Sequence, residues 1–479
     1  MKRLATTLAI FAALFCMADE GHAQSKPNIV YIMADDMGYG DTTVYNPESK
    51  IPTPHMDALA TQGIVFTDAH SPSSVCTPTR YGVLTGRYSW RTRLKRGVFG
   101  GFNRPLIEPG RMTVPSLLKE HGYATACIGK WHLGMDWTLK EGATEQEGDT
   151  VDISKPILRG PIDHGFDYYF VTPGCTTDDP PFCFVENNRA LGDPVLTSPG
   201  DNPERRLLMA PGWRHEDADI AFADKAVGFI KKHVAANPEQ PFFVYLPVSV
   251  PHIPWLPPDS VKGKSEAGAR GDQVVLADVI LGQVMDTLDA LGVADNTLLI
   301  FTSDNGPREG VNGHASAGDL RGLKGMIWEG GHRIPFIARW PGHIKPGTKS
   351  DALTTLTDLL ATTSAIMGVE LPDDAGEDSF NILPALLGEE VDEPIRDSAI
   401  HHSGSGVFSL RQGDWKLIVG TKSHGYIRDR PDEDTPGQLY NLGNDPHETN
   451  DLWDTHPEIV EHMRNALDGY RDSGHTRAS

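Results

Sequence analysis

Four apolar runs, each followed by polar side chains, constrain the fold more than any other feature of this chain. They lie at residues 28–34, 123–129, 241–247 and 297–303. A continuous apolar run of this length is typical of a strand covered on both faces. Patterns with helical periodicity separate the runs and lie at 114–120, 215–233, 273–291 and 355–367. The alternation predicts an α/β protein whose large, mostly parallel sheet is flanked by helices.

The polar residues that follow these runs are expected to form one site, because ligands bind outside the carboxyl ends of parallel strands. They are Asp35 and Asp36, Lys130 and His132, His252, and Asp304 and Asn305. The three carboxylates and the amide oxygen suit Ca²⁺, with Mg²⁺ as the alternative. The site lacks the Cys and His set typical of zinc.

The segment at residues 71–80 reads Ser-Pro-Ser-Ser-Val-Cys-Thr-Pro-Thr-Arg and predicts a helix that begins near Cys76. Pro78 suits a first helical turn. The candidate N-caps are Ser71, Ser73, Ser74 and Thr77. Such a helix places Cys76 at its positive end, where backbone N–H groups favour an anion. Arg80 follows one turn later, and its planar fork of donors suits an oxyanion such as sulfate.

Two sequence motifs resemble the signatures of the formylglycine-dependent family-1 sulfatases, which belong to the alkaline phosphatase-like superfamily. The first is C-x-P-x-R at 76–80 followed by Leu-Thr-Gly-Arg at 84–87, and the second is Gly-Lys-Trp-His-Leu-Gly at 129–134. Position 79 is Thr where the family most often has Ser, which leaves the motif core intact. The resemblance implies that Cys76 is oxidised to formylglycine by a formylglycine-generating or anaerobic sulfatase-maturating enzyme. The aldehyde hydrate would then attack the sulfur of a sulfate ester.

The resemblance also implies a role for each residue of the site. The metal ligands would be Asp35, Asp36, Asp304, Asn305 and the formylglycine at position 76. Arg80, Lys130 and Lys324, the last within Leu-Arg-Gly-Leu-Lys-Gly at 320–325, would bind the sulfate. His252 would protonate the leaving alcohol, and His132 would take a proton from the hydrate to release sulfate.

The expected substrate is a sulfated carbohydrate, because residues 79–91 resemble bacterial carbohydrate sulfatases similar to N-acetylgalactosamine-6-sulfatases. A 6-O-sulfated galactose or N-acetylgalactosamine unit of a polysaccharide or glycosaminoglycan is favoured. The candidate substrate-binding residues are Asp178, His215, His314 and Arg321. Two alternatives remain open, namely a phosphodiesterase or phosphonate monoester hydrolase of the same superfamily, and a non-catalytic binder of sulfated glycans.

The N-terminus predicts export. Residues 1–23 combine the charged pair Lys2 and Arg3, an apolar stretch at 4–15 and a small-residue cleavage site. The stretch is too short to span a bilayer, and no later run is long enough. We therefore expect a periplasmic or extracellular protein. Its net charge of −22 disfavours nucleic acid as a partner.

The sequence pattern changes after about residue 390, so we predict a catalytic domain at 24–390 and a C-terminal subdomain at 391–479. In the latter, apolar segments at 407–411 and 415–419 predict a β-hairpin, and 457–470 predicts an amphipathic closing helix. Together they predict a small antiparallel sheet plus a helix.

Residues 137–211 are rich in Gly, Pro and Asp, which predicts long surface loops. Within this stretch, Cys175 and Cys183 could form a disulfide in an exported protein. Their spacing of eight residues does not decide the matter.

Overall fold

The computed structural model describes residues 26–197, 207–420 and 436–477. The predicted signal peptide therefore lies outside the described residues. Among the helices of these ranges, none is both long enough and apolar enough to span a membrane. The helices are α1 Pro54–Gln62, α2 Cys76–Thr85, α3 Val114–Glu120, α4 Ala218–Ala236, α5 Gly268–Ala290, α6 Glu329–His332, α7 Leu359–Met367, α8 Leu383–Leu387 and α9 Pro457–Ser473.

The strands include a central group and several short outer members. The first nine are β1 Asn28–Ala34, β2 Ile64–Phe66, β3 Ala69–His70, β4 Ala124–Lys130, β5 Tyr168–Thr172, β6 Val185–Glu186, β7 Arg189–Ala190, β8 Val195–Thr197 and β9 Leu207–Met209. The others are β10 Phe242–Pro247, β11 Thr297–Ser303, β12 Phe336–Arg339, β13 Thr348–Ser350, β14 Thr354–Thr355, β15 Ser398–His402, β16 Phe408–Gln412, β17 Trp415–Val419 and β18 Gln438–Asn441.

A 10-stranded sheet forms the centre of the molecule, in the order β13-β2-β12-β11-β1-β10-β4-β5-β6-β7. The strands β11, β1, β10, β4 and β5 are parallel to their neighbours, whereas β12 and β6 begin the antiparallel edges. The four predicted apolar runs are thus consecutive strands of the parallel centre. The expected α/β architecture is confirmed, and the edges make the sheet mixed.

Helices cover both faces of the sheet, which explains why the central strands are mostly apolar. Successive residues of a strand point to opposite faces. In β1, Tyr31 packs into a hydrophobic cluster that includes Leu84 of α2, whereas Ile32 packs into another that includes Phe222 of α4 and Leu281 of α5. All seven residues of β1 are buried. A polar side chain on either face would therefore enter a core.

The C-terminal part is a four-stranded antiparallel sheet in the order β15-β16-β17-β18, packed against α9. The predicted hairpin is formed by β16 and β17, and α9 contributes Val460, Met463 and Leu467 to the cluster beneath it. Tyr88 and Trp90, which follow α2, belong to the same cluster. The predicted small sheet plus helix is confirmed, and its core is shared with the larger part.

The expectation of surface loops at 137–211 was wrong for five short strands, β5 to β9, of which β5 is the longest. Residues Tyr168–Thr172 form β5, which pairs in parallel with β4 and is almost entirely buried. The strand has 5 residues and stands among Gly-, Pro- and Asp-rich segments. A run this short shows little hydrophobic periodicity, so its pairing with β4 could not be predicted from the neighbouring sequence.

Candidate active site

Helix α2 begins at Cys76 and runs away from the carboxyl edge of the sheet. Its N-cap is Val75, and no side chain caps it. The predicted serine and threonine caps were wrong. Ser71 donates to the carbonyl of Ser73, Ser73 to the carbonyl of His402 and Thr77 to the carbonyl of His132, whereas the buried Ser74 hydroxyl has no hydrogen-bond partner among the described residues. These bonds tie the start of α2 to two neighbouring segments and position Cys76 at the site.

The Cys76 thiol lies at the centre of the candidate site and is buried. Its Sγ is 3.4 Å from Oδ1 of Asp35 and 3.3 Å from Nζ of Lys324. Burial, together with the charges of Asp304 and Asp35, raises the pKa of this thiol well above its usual value. The unmodified side chain is therefore a neutral thiol and a poor nucleophile. Its sulfur marks where the oxygen atoms of a formylglycine hydrate would lie.

Arg80 faces the same site from the next turn of α2, as expected, and is completely buried. Its Nε and Nη2 donate to Oδ2 of Asp304 over 3.1 and 2.7 Å, and Nη1 donates to the carbonyl of Lys130 over 2.8 Å. One guanidinium thereby joins the ends of β4 and β11 to the start of α2. The fork geometry makes this connection rigid.

The carboxylates and the amide lie side by side because β1 and β11 are in register, with Ala34 opposite Ser303. The next residues emerge together at the strand ends. The Asp36 N–H donates to Oδ1 of Asp304 over 3.3 Å, and Nδ2 of Asn305 donates to Oδ1 of Asp36 over 2.8 Å. The backbone of Asp36 has φ 68°, a left-handed conformation that is uncommon outside glycine and occurs often at functional sites.

Two oxygens of this group fit a cation. Oδ2 of Asp36 and Oδ1 of Asn305 are buried, and neither has a hydrogen-bond partner among residues 26–197, 207–420 and 436–477. Buried oxygens without partners are costly unless a donor or cation satisfies them. Asp35, Asp36, Cys76 and His252 also offer potential ligand atoms that lie within 4.8 Å of one another. Carboxylate and amide oxygens are preferred ligands of Ca²⁺ and Mg²⁺, so the donor set suits the expected ion.

Two lysines accompany the carboxylates. The Lys130 ammonium, at the end of β4, bonds to Oδ2 of Asp35, and Nζ of Lys324 lies 2.5 Å from Oδ1 of Asp36. Burial opposes the charge of Lys130, but the Asp35 carboxylate prevails and raises the pKa of this lysine well above its usual value. Both lysines are therefore cations held by the carboxylates, and the Lys324 ammonium also contacts the sulfur of Cys76.

His132 follows β4 with φ 57°, a second left-handed residue in the site. Its Nε2 lies 2.5 Å from the carbonyl oxygen of Phe99, and its buried Nδ1 has no partner in the described part of the chain. Burial and the charges of Lys130 and Arg80 hold the pKa of His132 well below its usual value. The ring is therefore neutral at pH 7 and can accept a proton.

His252 lies beyond β10 and is also buried. Its Nδ1 donates to the carbonyl of Ile253 over 2.7 Å, which leaves Nε2 directed toward the site, 3.9 Å from Oδ2 of Asp36. Burial and the charge of Lys324 lower the pKa of His252. The sequence predicted a loop position for this histidine, and in the structure it lies beside Asp36, with the other residues expected at the site.

The four candidate substrate-binding residues separate into two pairs. Asp178 lies 3.9 Å from Nδ1 of His252, and its side chain is 46% exposed. Nδ1 of His215 lies 2.6 Å from the carbonyl oxygen of Thr176, on the same segment. Asp178 therefore lies beside His252, and His215 contacts the segment that carries Asp178.

The other two candidates have structural partners. Nε2 of His314 lies 2.9 Å from Oδ1 of the buried Asp41. Arg321 stacks on the ring of Trp328 at 3.8 Å and donates to the Tyr440 hydroxyl over 3.1 Å. The structure therefore does not bring either side chain to the group around Cys76, because buried partners hold them elsewhere.

Sequence reasoning missed a buried ion pair that supports the site. Asp41 binds Arg270 of α5 through two 2.6 Å contacts and also accepts from the Gly38 N–H over 2.6 Å. Arg270 donates in turn to the carbonyl of Asp36 over 3.3 Å. The pair holds the left-handed turn at Asp36. Its two members are 229 positions apart, so no local sequence motif predicts the contact.

Asp179 is a second residue that the sequence did not single out. Its Oδ1 accepts from the Gly101 N–H over 3.1 Å, and its Oδ2 lies 3.8 Å from Nε2 of His132. Burial raises the pKa of Asp179 to about 6. It therefore ties the segment that follows Phe99 to the loop bearing the substrate-binding candidates.

The two cysteines of that loop are not joined. Cys175 and Cys183 are both free and buried. The Cys175 sulfur faces Nε2 of His252 at 3.9 Å, whereas Cys183 packs in the hydrophobic core. The possible disulfide is thus absent because the two side chains belong to different environments.

The chain is similar to known proteins over most of its length. The family model described as Sulfatase matches residues 27–369, and one described as N-sulphoglucosamine sulphohydrolase, C-terminal, matches 323–473. An N-acetylgalactosamine-6-O-sulfatase of Bacteroides thetaiotaomicron is 36% identical, with 95% of this chain and 94% of the relative covered. The N-acetylgalactosamine-6-sulfatase of Homo sapiens is 31% identical, with 87% and 76% covered. A solved structure concerned with metabolism of multiple glycosaminoglycans by B. thetaiotaomicron has a TM-score of 0.82 at 34% identity, covering 94% of this chain and 100% of that one.

Proposed function

This chain belongs to the sulfatase family and is a carbohydrate sulfatase, and from that premise we propose that it hydrolyses the 6-O-sulfate of a galactose or N-acetylgalactosamine unit. The unit would belong to a sulfated polysaccharide or glycosaminoglycan. The reaction would use a formylglycine derived from Cys76 by a maturation enzyme. Relatives described as 6-sulfatases of N-acetylgalactosamine support the substrate.

One observation carries the mechanism: Cys76 lies between the cations that would bind sulfate and the oxygens that would bind a metal. Once oxidised and hydrated, residue 76 would supply the oxygen nucleophile that attacks sulfur. A Ca²⁺ held by Asp35, Asp36, Asp304 and Asn305 would act as a Lewis acid toward a sulfate oxygen. The Lys324 ammonium lies 3.3 Å from the Cys76 sulfur, which supports a role beside the sulfate that residue 76 attacks.

The cationic side chains of the site would stabilise the charge that develops on the sulfate oxygens. Lys324 contacts the Cys76 sulfur, and Lys130 is held by Asp35, which contacts the same sulfur. Arg80 holds Asp304 and the Lys130 carbonyl in place. Fixed charges in a water-poor site stabilise a transition state without reorganising during the reaction. Their buried environment also favours an anion over a neutral ligand.

The two histidines would move protons on opposite sides of the reacting sulfur. His252 would donate a proton from Nε2 to the departing sugar oxygen, and the arriving sulfate would favour its protonated form. His132, which is neutral in the free site, would accept a proton from the residue at position 76 as sulfate leaves. The free Nδ1 of His132 and the Ile253 carbonyl that holds Nδ1 of His252 fit these assignments.

Asp178 and His215 are proposed to contact sugar hydroxyls. The contact of Asp178 with His252 and the contact of His215 with the Thr176 carbonyl support this proposal. The pattern of residues 1–23 supports a further proposal, that the enzyme is exported to the periplasm or the medium. N-terminal sequencing of protein from those fractions would test the export: a mature chain that begins after residue 23 supports it.

The substrate is tested by sulfate release from a panel of defined esters. The panel contains the 6-O-sulfates of galactose and N-acetylgalactosamine, their 4-O-sulfates, an aryl sulfate and a phosphate diester. We expect the highest kcat/KM for a 6-O-sulfate, and an Asp178→Ala variant should lose more activity on sugars than on the aryl sulfate. Preference for a 4-O-sulfate would overturn the position, and preference for the phosphate diester would overturn the proposed reaction.

A further inference from the structure

A second positively charged site lies outside the group around Cys76. A cavity of about 680 Å³ opens between the segment that follows α2 and the C-terminal sheet. We call it the basic cavity and define it by its five basic lining residues, Arg87, Arg91, Lys95, Arg96 and Arg471. Asp472 is the one acidic residue among the described lining residues. In a chain with a net charge of −22, this concentration of positive charge is a local exception.

The inner arginines of the basic cavity are held by acidic partners. Arg87 pairs with Glu377 at 3.0 Å, and Arg91 pairs with Asp378 at 2.8 Å. Lys95 and Arg96 differ because both are exposed. The Lys95 ammonium has one hydrogen bond, to the carbonyl of Trp90, and across the described ranges Arg96 has neither a hydrogen-bond nor an ion-pair partner. These two side chains present charge that no carboxylate of the described ranges neutralises.

Backbone hydrogen bonds link the segments that line the basic cavity to segments of the active site. The Gly97 N–H donates to the carbonyl of Gly404 over 2.9 Å, and the Gly404 N–H donates to the carbonyl of Gly325 over 3.1 Å. Gly325 directly follows Lys324. On the other side, Phe99 lies three residues after Arg96, and its carbonyl oxygen contacts His132. The walls that carry Lys95 and Arg96 are therefore fixed to two segments of the catalytic group.

We propose that the basic cavity binds a second sulfate group, carried by a neighbouring sugar of the same polysaccharide whose ester is being hydrolysed. This inference rests on the proposed function and extends it to substrate length. Lysine and arginine are suited to sulfate through charge and hydrogen bonding. The half-buried ring of Phe408 also lines the basic cavity and offers an apolar face for a sugar ring. The enzyme would thus prefer a multiply sulfated oligosaccharide to a monosaccharide.

The test compares a Lys95→Ser/Arg96→Ser double variant with a Lys231→Ser/Lys232→Ser control. Lys231 and Lys232 are exposed on α4, and their replacement changes the net charge equally. Two measurements use the full chain with confirmed formylglycine: the ratio of kcat/KM for a multiply sulfated tetrasaccharide to that for a monosaccharide 6-O-sulfate, and the Kd of the tetrasaccharide. We expect the ratio to fall about ten-fold, which corresponds to about 1.4 kcal/mol, mostly through KM.

The outcomes separate this inference from the proposed function. A lower ratio and a weaker Kd in the Lys95→Ser/Arg96→Ser variant alone support the basic cavity. The inference is overturned if the ratio and the Kd of both variants match wild type. It is also overturned if both variants lose affinity equally, because such a loss reports only the change in net charge. If neither saccharide releases sulfate but the Kd still weakens in the first variant alone, the basic cavity stands and the proposed function fails.

Discussion

The ammonium of Lys324 lies 3.3 Å from the sulfur of Cys76, although 248 positions separate them in the chain. This contact joins the start of α2 to the segment before α6 at the point where the strands of the sheet end. It places a fixed cation beside the position that the nucleophilic oxygen would occupy once Cys76 has been oxidised and hydrated. The proposed reaction needs such a charge, because negative charge grows on the sulfate oxygens as the ester bond breaks.

A Lys324→Ala variant should lose about 10²- to 10³-fold in kcat, as is typical when one electrostatic stabiliser is removed. KM should change less, because the charge acts mainly in the transition state. The measurement is steady-state sulfate release by protein with equal formylglycine content. Lys345→Ala, at an exposed surface position, is the control and should match wild type. Equal kcat in wild type and Lys324→Ala would exclude a role for this lysine in the chemical step.

Ca²⁺ should raise the thermal stability of the wild-type protein. A ligand that binds only the folded state adds about 2.7 kcal/mol to the free energy of unfolding at a concentration 100 times its Kd. Asn305→Leu removes one of the two buried oxygens that have no described hydrogen-bond partner, so its melting temperature should respond less to Ca²⁺. Differential scanning calorimetry with and without a chelator measures both effects. An unchanged response in Asn305→Leu would remove this residue from the metal site.

Asp41→Asn should lower the free energy of unfolding by about 3–5 kcal/mol, because it leaves the buried charge of Arg270 without its partner. The side chains of this ion pair are 1% and 0% exposed. Urea denaturation measures the change. Asp468→Asn is the matched control, since its pair with Arg471 is exposed, and it should change stability by less than about 1 kcal/mol. Similar changes in the free energy of unfolding for the two variants would show that the buried pair contributes no more to stability than the surface pair.

Buried histidines where α6 meets β15 should make the free energy of unfolding sensitive to acid. His332 and His401 are buried and stack at 4.0 Å, with His70, Lys416 and Glu329 facing them. Burial and the charge of Lys416 hold the pKa of His332 well below its usual value, and burial and His332 do the same for His401. These rings stay neutral in the folded state under conditions where they would be protonated in the unfolded state.

The stability therefore falls as pH decreases below about 6.5, the pKa of an unfolded histidine. The unfolded chain then binds protons that the folded chain does not, at up to about 1.4 kcal/mol per pH unit for each ring. Thermal unfolding between pH 8 and pH 5 measures the slope. His401→Phe keeps an aromatic ring and should make the slope shallower than in wild type. The same slope in both proteins would contradict this account of the histidine stack.

Features encoded in contiguous segments were predictable from the sequence. The runs at 123–129 and 241–247 predicted strands that the structure places at 124–130 and 242–247, because both-face burial leaves an uninterrupted apolar pattern. The helix start at Cys76 followed from Pro78 and the neighbouring motif. The positions of the polar residues after each strand followed from the parallel order of the strands.

Features that depend on distant partners were not predictable. The strand β15 lies at the edge of the small sheet, and its sequence Ser-Ala-Ile-His-His shows little strand pattern. The Asp41 contact with Arg270 and the backbone links between Gly97, Gly404 and Gly325 arise only when separate segments pack together. For the same reason, the sequence did not show that Arg321 would be held by Trp328 and Tyr440.

The most direct test of the central claim measures the aldehyde content of residue 76 and sulfate release in the same samples. Mass spectrometry of the peptide that contains this residue gives the fraction converted, and preparations with different conversion give a series. We predict that the rate of sulfate release from a 6-O-sulfated sugar is proportional to the aldehyde fraction and is absent in Cys76→Ser. Equal rates in converted samples and in samples that retain cysteine at position 76 would contradict the account.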